Sequence, residues 1–265
     1  MFSVVCVYNN REVFHNALCK SLERQTAPFE LIAIDNTQQQ FPSAAAALNF
    51  GARRAVAPSD YYLFAHQDIE FYSDTWLADA KALLDRLPRL GVAGVAGMPD
   101  GETALVSNIT HGNPPVVAGR RNPTNPVRVQ TVDECLIVIP RSVFALQPFD
   151  ETVCNGWHMY GVDYCLDVRR RGLAVYVLPL ALHHASLGSR DRDYFKALGR
   201  VKRKHQRHCK KIYSTCGIWN TRVPAPVQYF FCLIKEALQG MAKKMIERGY
   251  VPGWMRKKKK NTDWS

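Results

Sequence analysis

Several kinds of protein are argued against by what this chain lacks. Its eight cysteines include no C-x-x-C pair, and several fall inside apolar strand or helix patterns where a reduced thiol packs well. That argues against a zinc cluster or a disulfide framework and implies a reducing, cytoplasmic setting. No uninterrupted apolar stretch approaches the roughly 18 residues that a membrane-spanning helix requires. The chain enters Phe2-Ser-Val-Val-Cys-Val-Tyr8 directly, with neither a basic n-region nor a small-residue cleavage site, so no signal peptide is read. No internal repeat is present. No G-x-G-x-x-G turn follows the first apolar run, which counts against a dinucleotide-dependent oxidoreductase. Acidic residues are scarce only toward the end: residues 1–189 carry 15 Lys and Arg against 18 Asp and Glu, whereas residues 190–265 carry 20 against 5. A mildly acidic front part without any reader motif argues against nucleic acid as the partner.

What is present is enough apolar material for one sizeable core: 265 residues, 47% of them hydrophobic, suit a single α/β domain with an extension. Periodicity predicts a strand over Phe2–Val7, then a helix with Val13, Phe14, Ala17, Leu18 and Leu22 on one face. A second strand covers Leu31–Ile34 and ends at Asp35-Asn36. Ser43 is placed to cap an Ala-rich helix reaching about Ala57, before Pro58. Tyr61–Ala65 reads as a third strand, Thr75–Leu87 as a helix, and Val92–Gly97 as another buried strand. Such alternation signals crossover units and a mostly parallel sheet. Met98–Val129, rich in Gly, Pro and Asn, reads as a loop over the cleft. Thr131–Ile139 reads as a strand, Met159–Arg171 as a helix and Val175–Leu182 as extended, with the core ending near Gly188. The predicted organisation is a core over 1–188 and a basic helical extension over 189–265.

The most informative stretch is Tyr61-Tyr-Leu-Phe-Ala-His66-Gln67-Asp68-Ile69-Glu70. An apolar strand ends abruptly in polar groups, and in open α/β sheets ligands gather beyond the carboxyl ends of strands. If the strand continued, Asp68 and Glu70 would face one side and hold a hard divalent cation, Mn2+ or Mg2+, through oxygen.

Four segments, taken in order, resemble family 2 glycosyltransferase-like proteins of the GT-A fold over residues 2–188. The first is Ser3-Val-Val-Cys-Val-Tyr8-Asn9, and the second is the strand ending at Asp35. The third joins Ala47-Leu48-Asn49-Phe-Gly51 to His66-Gln67-Asp68. The fourth is Trp157-His158-Met-Tyr160-Gly161-Val-Asp163, with Gly172 downstream, followed by His184-Ala-Ser186-Leu-Gly188. The resemblance implies an inverting glycosyltransferase that moves a sugar from a nucleotide-diphosphate donor to a hydroxyl of a glycan or lipid-linked acceptor, in polysaccharide or glycoconjugate biosynthesis. It also implies donor contacts from Val7, Tyr8, Asn9, Asp35, Asn49, Gln67 and Asp68, and a metal held by Asp68, Glu70 and His184. Asp163 is implied as base, with His158 as runner-up because an imidazole titrates near neutrality. Trp157 and Tyr160 are expected to stack on sugar. In two places the chain departs from the wider family. His66-Gln67 stands where many relatives carry successive aspartates, and Gly161 stands where many carry an acid, with Asp163 two residues later. The alternative reading is a catalytically weak sugar-nucleotide or glycan binder on the same fold.

The tail adds a basic helix over Asp191–Lys211, an amphipathic segment over Val227–Arg248 and a cationic run from Arg256 to Lys260. That combination suits peripheral attachment to an anionic membrane surface, at the inner face where lipid-linked acceptors reside.

Overall fold

Every residue of Tyr61–Ala65 is buried, as expected of a strand covered on both faces in a largely parallel sheet. In the computed structural model it is the third strand of a seven-stranded sheet. The structure describes residues 1–119, 122–186, 188 and 190–247. We label the strands of this sheet in chain order: β1 Phe2–Tyr8, β2 Phe29–Asp35, β3 Tyr61–Ala65, β4 Leu90–Gly94, β5 Val127–Val129, β6 Leu136–Pro140 and β7 Ala174–Val177. Across the sheet their order is β5-β7-β4-β6-β3-β1-β2. Five of the seven run one way; β6 is antiparallel to β3 and β4, and β5 is antiparallel to β7.

Local signals account for the flanking helices. Asn10 accepts from the Val13 amide and starts the helical segment Arg11–Glu23, which contains a π-helical turn at His15–Cys19. Ser43 caps Ala44–Arg53 by accepting from the Ala46 amide at 3.2 Å, satisfying one of the orphan donors of the first turn. The aromatic pair Phe71–Trp76, with centroids 4.6 Å apart, packs in the core beside Leu77 and Leu84.

Three expectations change. Met98–Val129 is not a plain loop: it contributes the short strands Val106–Ser107, Ile109–His111 and Val116–Val117 before β5. The strand read over Thr131–Ile139 divides into Thr131–Val132 and β6, because the Asp133 carboxylate accepts the Cys135 amide and turns the chain. The core also extends beyond Gly188, since one compact unit spans Met1–Arg222. The helix Arg192–His205 belongs to it through Lys204 and His205, which bond to Asp163. The second unit, Val223–Ser265, is described as one helix, Ala225–Glu247. The Arg256–Lys260 run lies outside the described residues. No helix among the described residues is long and apolar enough to cross a membrane.

Candidate functional site

Register brings the candidate residues together. Tyr8 on β1 lies opposite Asp35 on β2, and Cys6 on β1 opposite Ala65 on β3, so three parallel strands end along one edge. A cavity of about 780 Å³ opens there, lined by Val7, Tyr8, Asn9, Gln67, Asp68 and Tyr160 among others. Gln67 fastens two of the strand ends: its Oε1 accepts the amides of Asn9 and Asn10, each at 3.0 Å, and its Nε2 donates to Asn9 Oδ1 at 2.7 Å. Asp35 sits beside the cavity residues Tyr8 and Thr37. Its carboxylate accepts the Thr37 amide and hydroxyl, the Tyr8 hydroxyl at 3.0 Å and Arg11 at 2.9 Å. Those donors, the Thr37 amide foremost, hold it well below the usual carboxylate range. Asn49 is not brought to the cavity. It is buried and ties the chain at Phe149 and Glu151, donating to the Phe149 carbonyl and to Glu151 Oε1, both at 2.9 Å.

At the mouth, His66, Asp68 and His184 each offer a ligand atom, all within 4.8 Å of one another. A second small sheet brings His184 in, because Leu182–His184 pairs antiparallel with Ile69–Phe71 and sets His184 opposite Ile69. His184 Nε2 lies 3.4 Å from Asp68 Oδ1, 3.3 Å from His66 Nδ1 and 3.1 Å from Ser186 Oγ. One imidazole nitrogen has a single proton or lone pair to share, so three such neighbours suit a divalent cation better than they suit each other. The donor set of two imidazoles and a carboxylate fits a first-row transition ion. Burial opposes charge on Asp68, but His184, His66 and the Ser186 side chain hold its carboxyl well below the ordinary range. Burial likewise disfavours the His184 cation, yet Asp68 and Asp133 raise its pKa. Burial, then the neighbouring His184, push His66 down to about 4. Glu70 does not join this group. The chain turns at Gln67–Asp68 before re-entering a strand, and Glu70 points outward, exposed between buried Ile69 and Phe71.

The two base candidates part company. Asp163 is 2% exposed, with Oδ2 bonded to Lys204 Nζ at 2.7 Å and Oδ1 to His205 Nε2 at 2.8 Å; the donors are already in place, and the residue does not line the cavity. His158 lines an adjoining cavity of about 510 Å³ that shares Pro42 and Trp157 with the first. Its Nε2 stands 3.5 Å from Asp191 Oδ1, and its ring packs edge-on against Tyr194. Trp157, 44% exposed, separates the two spaces, while Tyr160 is buried with its hydroxyl 3.3 Å from His66 Nε2.

Residue-type reasoning missed three contributors. His66 lies two positions before Asp68, which was the available signal. Lys204 and Glu134 had none, since their partners are distant in sequence. Glu134 accepts the amides of Gly161 at 2.8 Å and Met159 at 3.2 Å, fixing the start of the helix Tyr160–Arg170, where Met159 adopts a left-handed φ of 71°. Burial pushes its carboxyl up to about 8 even though those amides favour the charged form. A Cβ on Gly161 would meet Ile137 at 2.6 Å and Glu134 Cγ at 3.0 Å, so Glu134 takes the space a side chain at 161 would need.

The chain is similar to known proteins in family and in fold. A family model described as "Glycosyltransferase like family" matches residues 3–187. Among solved structures, a mannosyltransferase from Pyrobaculum calidifontis in complex with GDP-Man and Mn2+ is 14% identical, with a TM-score of 0.52 over 79% of this chain and 65% of that one. GalNAc-T7 with UDP, GalNAc and Mn2+ is 14% identical, with a TM-score of 0.53 over 78% of this chain and 48% of that one. Staphylococcus aureus TarS 1-349 in complex with UDP-GlcNAc is 15% identical, with a TM-score of 0.50 over 77% and 66%. This chain thus spans less than two thirds of the length of each. A protein from Fuscovulum blasticum named "ATP synthase subunits region ORF 6" is 28% identical over 219 residues, 78% of this chain and 84% of that one; its name carries no activity.

Proposed function

Because this chain belongs to the glycosyltransferase-like family, and is by that membership an enzyme of the GT-A fold, we propose that its strand-end cavity holds a nucleotide-diphosphate sugar whose glycosyl group passes, with inversion, to a hydroxyl of a glycan or lipid-linked acceptor. The observation that carries the reading is the group His66, Asp68 and His184 at the mouth of a cavity built from three parallel strand ends. These residues would hold a divalent cation, which when bound stabilises negative charge on a diphosphate as a Lewis acid. Mn2+, present with the mannosyltransferase and GalNAc-T7 structures, suits two imidazoles better than Mg2+ does.

The chain's own residues supply the rest. Gln67 keeps the loops after β1 and β3 in register around the nucleotide, and Tyr8 and Thr37, both bonded to Asp35, form part of the wall. Trp157 stands where donor and acceptor meet and offers its face to a sugar ring. His158 takes the proton of the acceptor hydroxyl as that oxygen bonds to the anomeric carbon; the bond from that carbon to the diphosphate breaks, and the nucleoside diphosphate leaves. Asp191, 3.5 Å away, orients the imidazole.

Thermal shift against nucleotide diphosphates, with and without Mn2+, tests the donor site, because a ligand binding only the folded state raises its stability. Donor turnover in His158→Gln then tests the base: it falls by about 10²- to 10⁴-fold if His158 takes the proton, and an unchanged rate removes His158 from that role. Metal-dependent nucleotide binding without turnover in the unaltered protein supports instead the weakly catalytic binder. For the second unit we propose peripheral attachment to anionic lipid, supported by exposed Phe230, Phe231, Leu233 and Leu238 on the helix Ala225–Glu247. Equal partition into neutral and anionic vesicles at low salt overturns it.

A further inference from the structure

We propose that a second cavity, at the carboxyl end of the helix Tyr160–Arg170, is a binding site for a phosphoryl-bearing anion. At about 1160 Å³ it is larger than the cavity at the strand ends. Tyr160 lines one and Arg170 the other, so about 15 Å of helix separates them at 1.5 Å per residue. Five cationic side chains line it, Arg169, Arg170, Arg171, Lys210 and Lys211, against the two carboxylates Asp100 and Asp167.

Those carboxylates are already committed. Asp100 pairs with Arg169, and Asp167 lies 3.4 Å from Arg170 and 2.6 Å from Lys204. Among the described residues the Arg171 guanidinium donates to the neutral Gln147 amide, at 3.0 Å, and has no ion-pair partner. Neither Lys210 nor Lys211 has an ion-pair partner among the described residues. Cations in the last turn of a helix offset its dipole, which accounts for Arg169 and Arg170 but not for a separate segment bringing Lys210, Lys211 and His208 to the same space.

The wall between the two segments is fixed in advance. Buried Gln130 donates to Asp100 at 2.7 Å and to the Lys211 carbonyl at 3.0 Å, and accepts the Tyr213 amide at 2.6 Å. A phosphoryl group brings a charge of about −1.5 to −2 and three acceptor oxygens, matching a guanidinium fork flanked by ammonium groups. A soluble phosphate ester and a lipid headgroup present this same chemistry.

The test uses the full chain in chelator, so that no metal-held phosphate at Asp68 contributes. Inorganic tripolyphosphate is titrated calorimetrically, and flotation compares phosphatidylglycerol with phosphatidylcholine vesicles. Expected is saturable tripolyphosphate binding that weakens at least about tenfold in Arg171→Ala/Lys210→Ala, is recovered in Arg171→Lys/Lys210→Arg and is unchanged in Asp68→Asn. Binding by lysines elsewhere in the tail is common to all these proteins and cancels. Loss of tripolyphosphate binding alone assigns a soluble ligand; loss of phosphatidylglycerol retention as well assigns a headgroup. A double variant with unaltered circular dichroism that binds both as the parent does overturns the site. Should the double variant unfold, Lys210→Glu alone, at an exposed side chain, decides on the same criteria.

Discussion

Two clusters of imidazole and carboxylate do opposite things in this molecule. His66, Asp68 and His184 form one, Asp163, Asp167 and His205 the other, and in each the ligand atoms lie within 4.8 Å. The first borders a cavity and contains no cationic side chain of its own. The second encloses Lys204, whose ammonium reaches Asp163, Asp167 and Asp150 at 2.7, 2.6 and 3.0 Å. An internal lysine turns a set of metal-type ligands into a clasp that fixes the helix Arg192–His205 against the helix Tyr160–Arg170. Whether carboxylates and imidazoles await a cation therefore depends on which cations the fold has already brought to them.

The largest separation between the clusters comes from Asp68→Asn. It removes the only carboxylate of the open cluster, and turnover of donor is expected to fall by about 10³-fold, or about 4 kcal/mol. Mn2+ binding read by electron paramagnetic resonance should be lost while the melting temperature without metal changes little. Unchanged Mn2+ affinity would put the metal elsewhere. Lys204→Met should do the reverse. Removing one partner of a buried ionic network leaves the others uncompensated, a loss of about 3 kcal/mol, at the low end of the usual range because Lys204 keeps some exposure. Denaturant unfolding measures it, and the part of Mn2+ binding that Asp68→Asn abolishes should be the same in the folded variant as in the parent.

The open cluster was partly legible in the sequence, and the clasp was not. Asp68 and the edge formed by Tyr8, Asn9 and Asp35 follow from short apolar strands that end in polar residues, a local pattern. His184 followed from family resemblance alone. Glu70 misled because alternation was carried through a turn, and a two-residue period has meaning only while the strand continues. Asp163 misled for a different reason. Its position at the start of a helix was read correctly, but whether a carboxylate is free depends on what faces it, here Lys204 and His205, some forty residues later. The basic tail illustrates the same limit. Residues 190–222 looked like an appendage by charge, yet Tyr194, Phe195, Leu198 and Val201 are buried within the first unit: Arg192, Lys196 and Arg203 mark the outer face of the Arg192–His205 helix, and its apolar stripe marks the core.

A smaller effect sharpens the identity of the ion. His66→Asp restores a second carboxylate to the open cluster, replacing a borderline nitrogen ligand with a hard oxygen. The ratio of Mg2+ to Mn2+ affinity should rise by about tenfold, equivalent to about 1.4 kcal/mol. Titration of nucleotide-dependent thermal stability with each ion reads the ratio. No change would mean that His66 only packs against Tyr160 and His184.

The subtlest contrast is in pH, and its sign differs between the clusters. Burial works against charge on Asp150, but the Val153 amide and Lys204 outweigh it and lower its pKa below 3.8. The clasp thus gains stability from Asp150 that is present above pH 3.8 and lost as pH falls through the folded value. Burial also opposes the Lys204 cation, yet Asp163, Asp167 and Asp150 raise its pKa above 10.5, so its contribution is present below that value and lost only as pH rises through the folded one. The difference in melting temperature between the parent and Lys204→Met should accordingly stay flat from about pH 5 to about pH 9 and shrink in stronger acid. At the open cluster, His184 holds its proton above pH 6.5. Because a bound proton competes with a cation for the same nitrogen, stabilisation by Mn2+ should decline as pH falls toward 6.5 through the folded His184 value, whereas the clasp is indifferent near neutrality. Melting curves of the parent with and without Mn2+, beside those of Lys204→Met, separate the two responses; a Mn2+ effect that stays constant through that range would remove His184 from the ligand set.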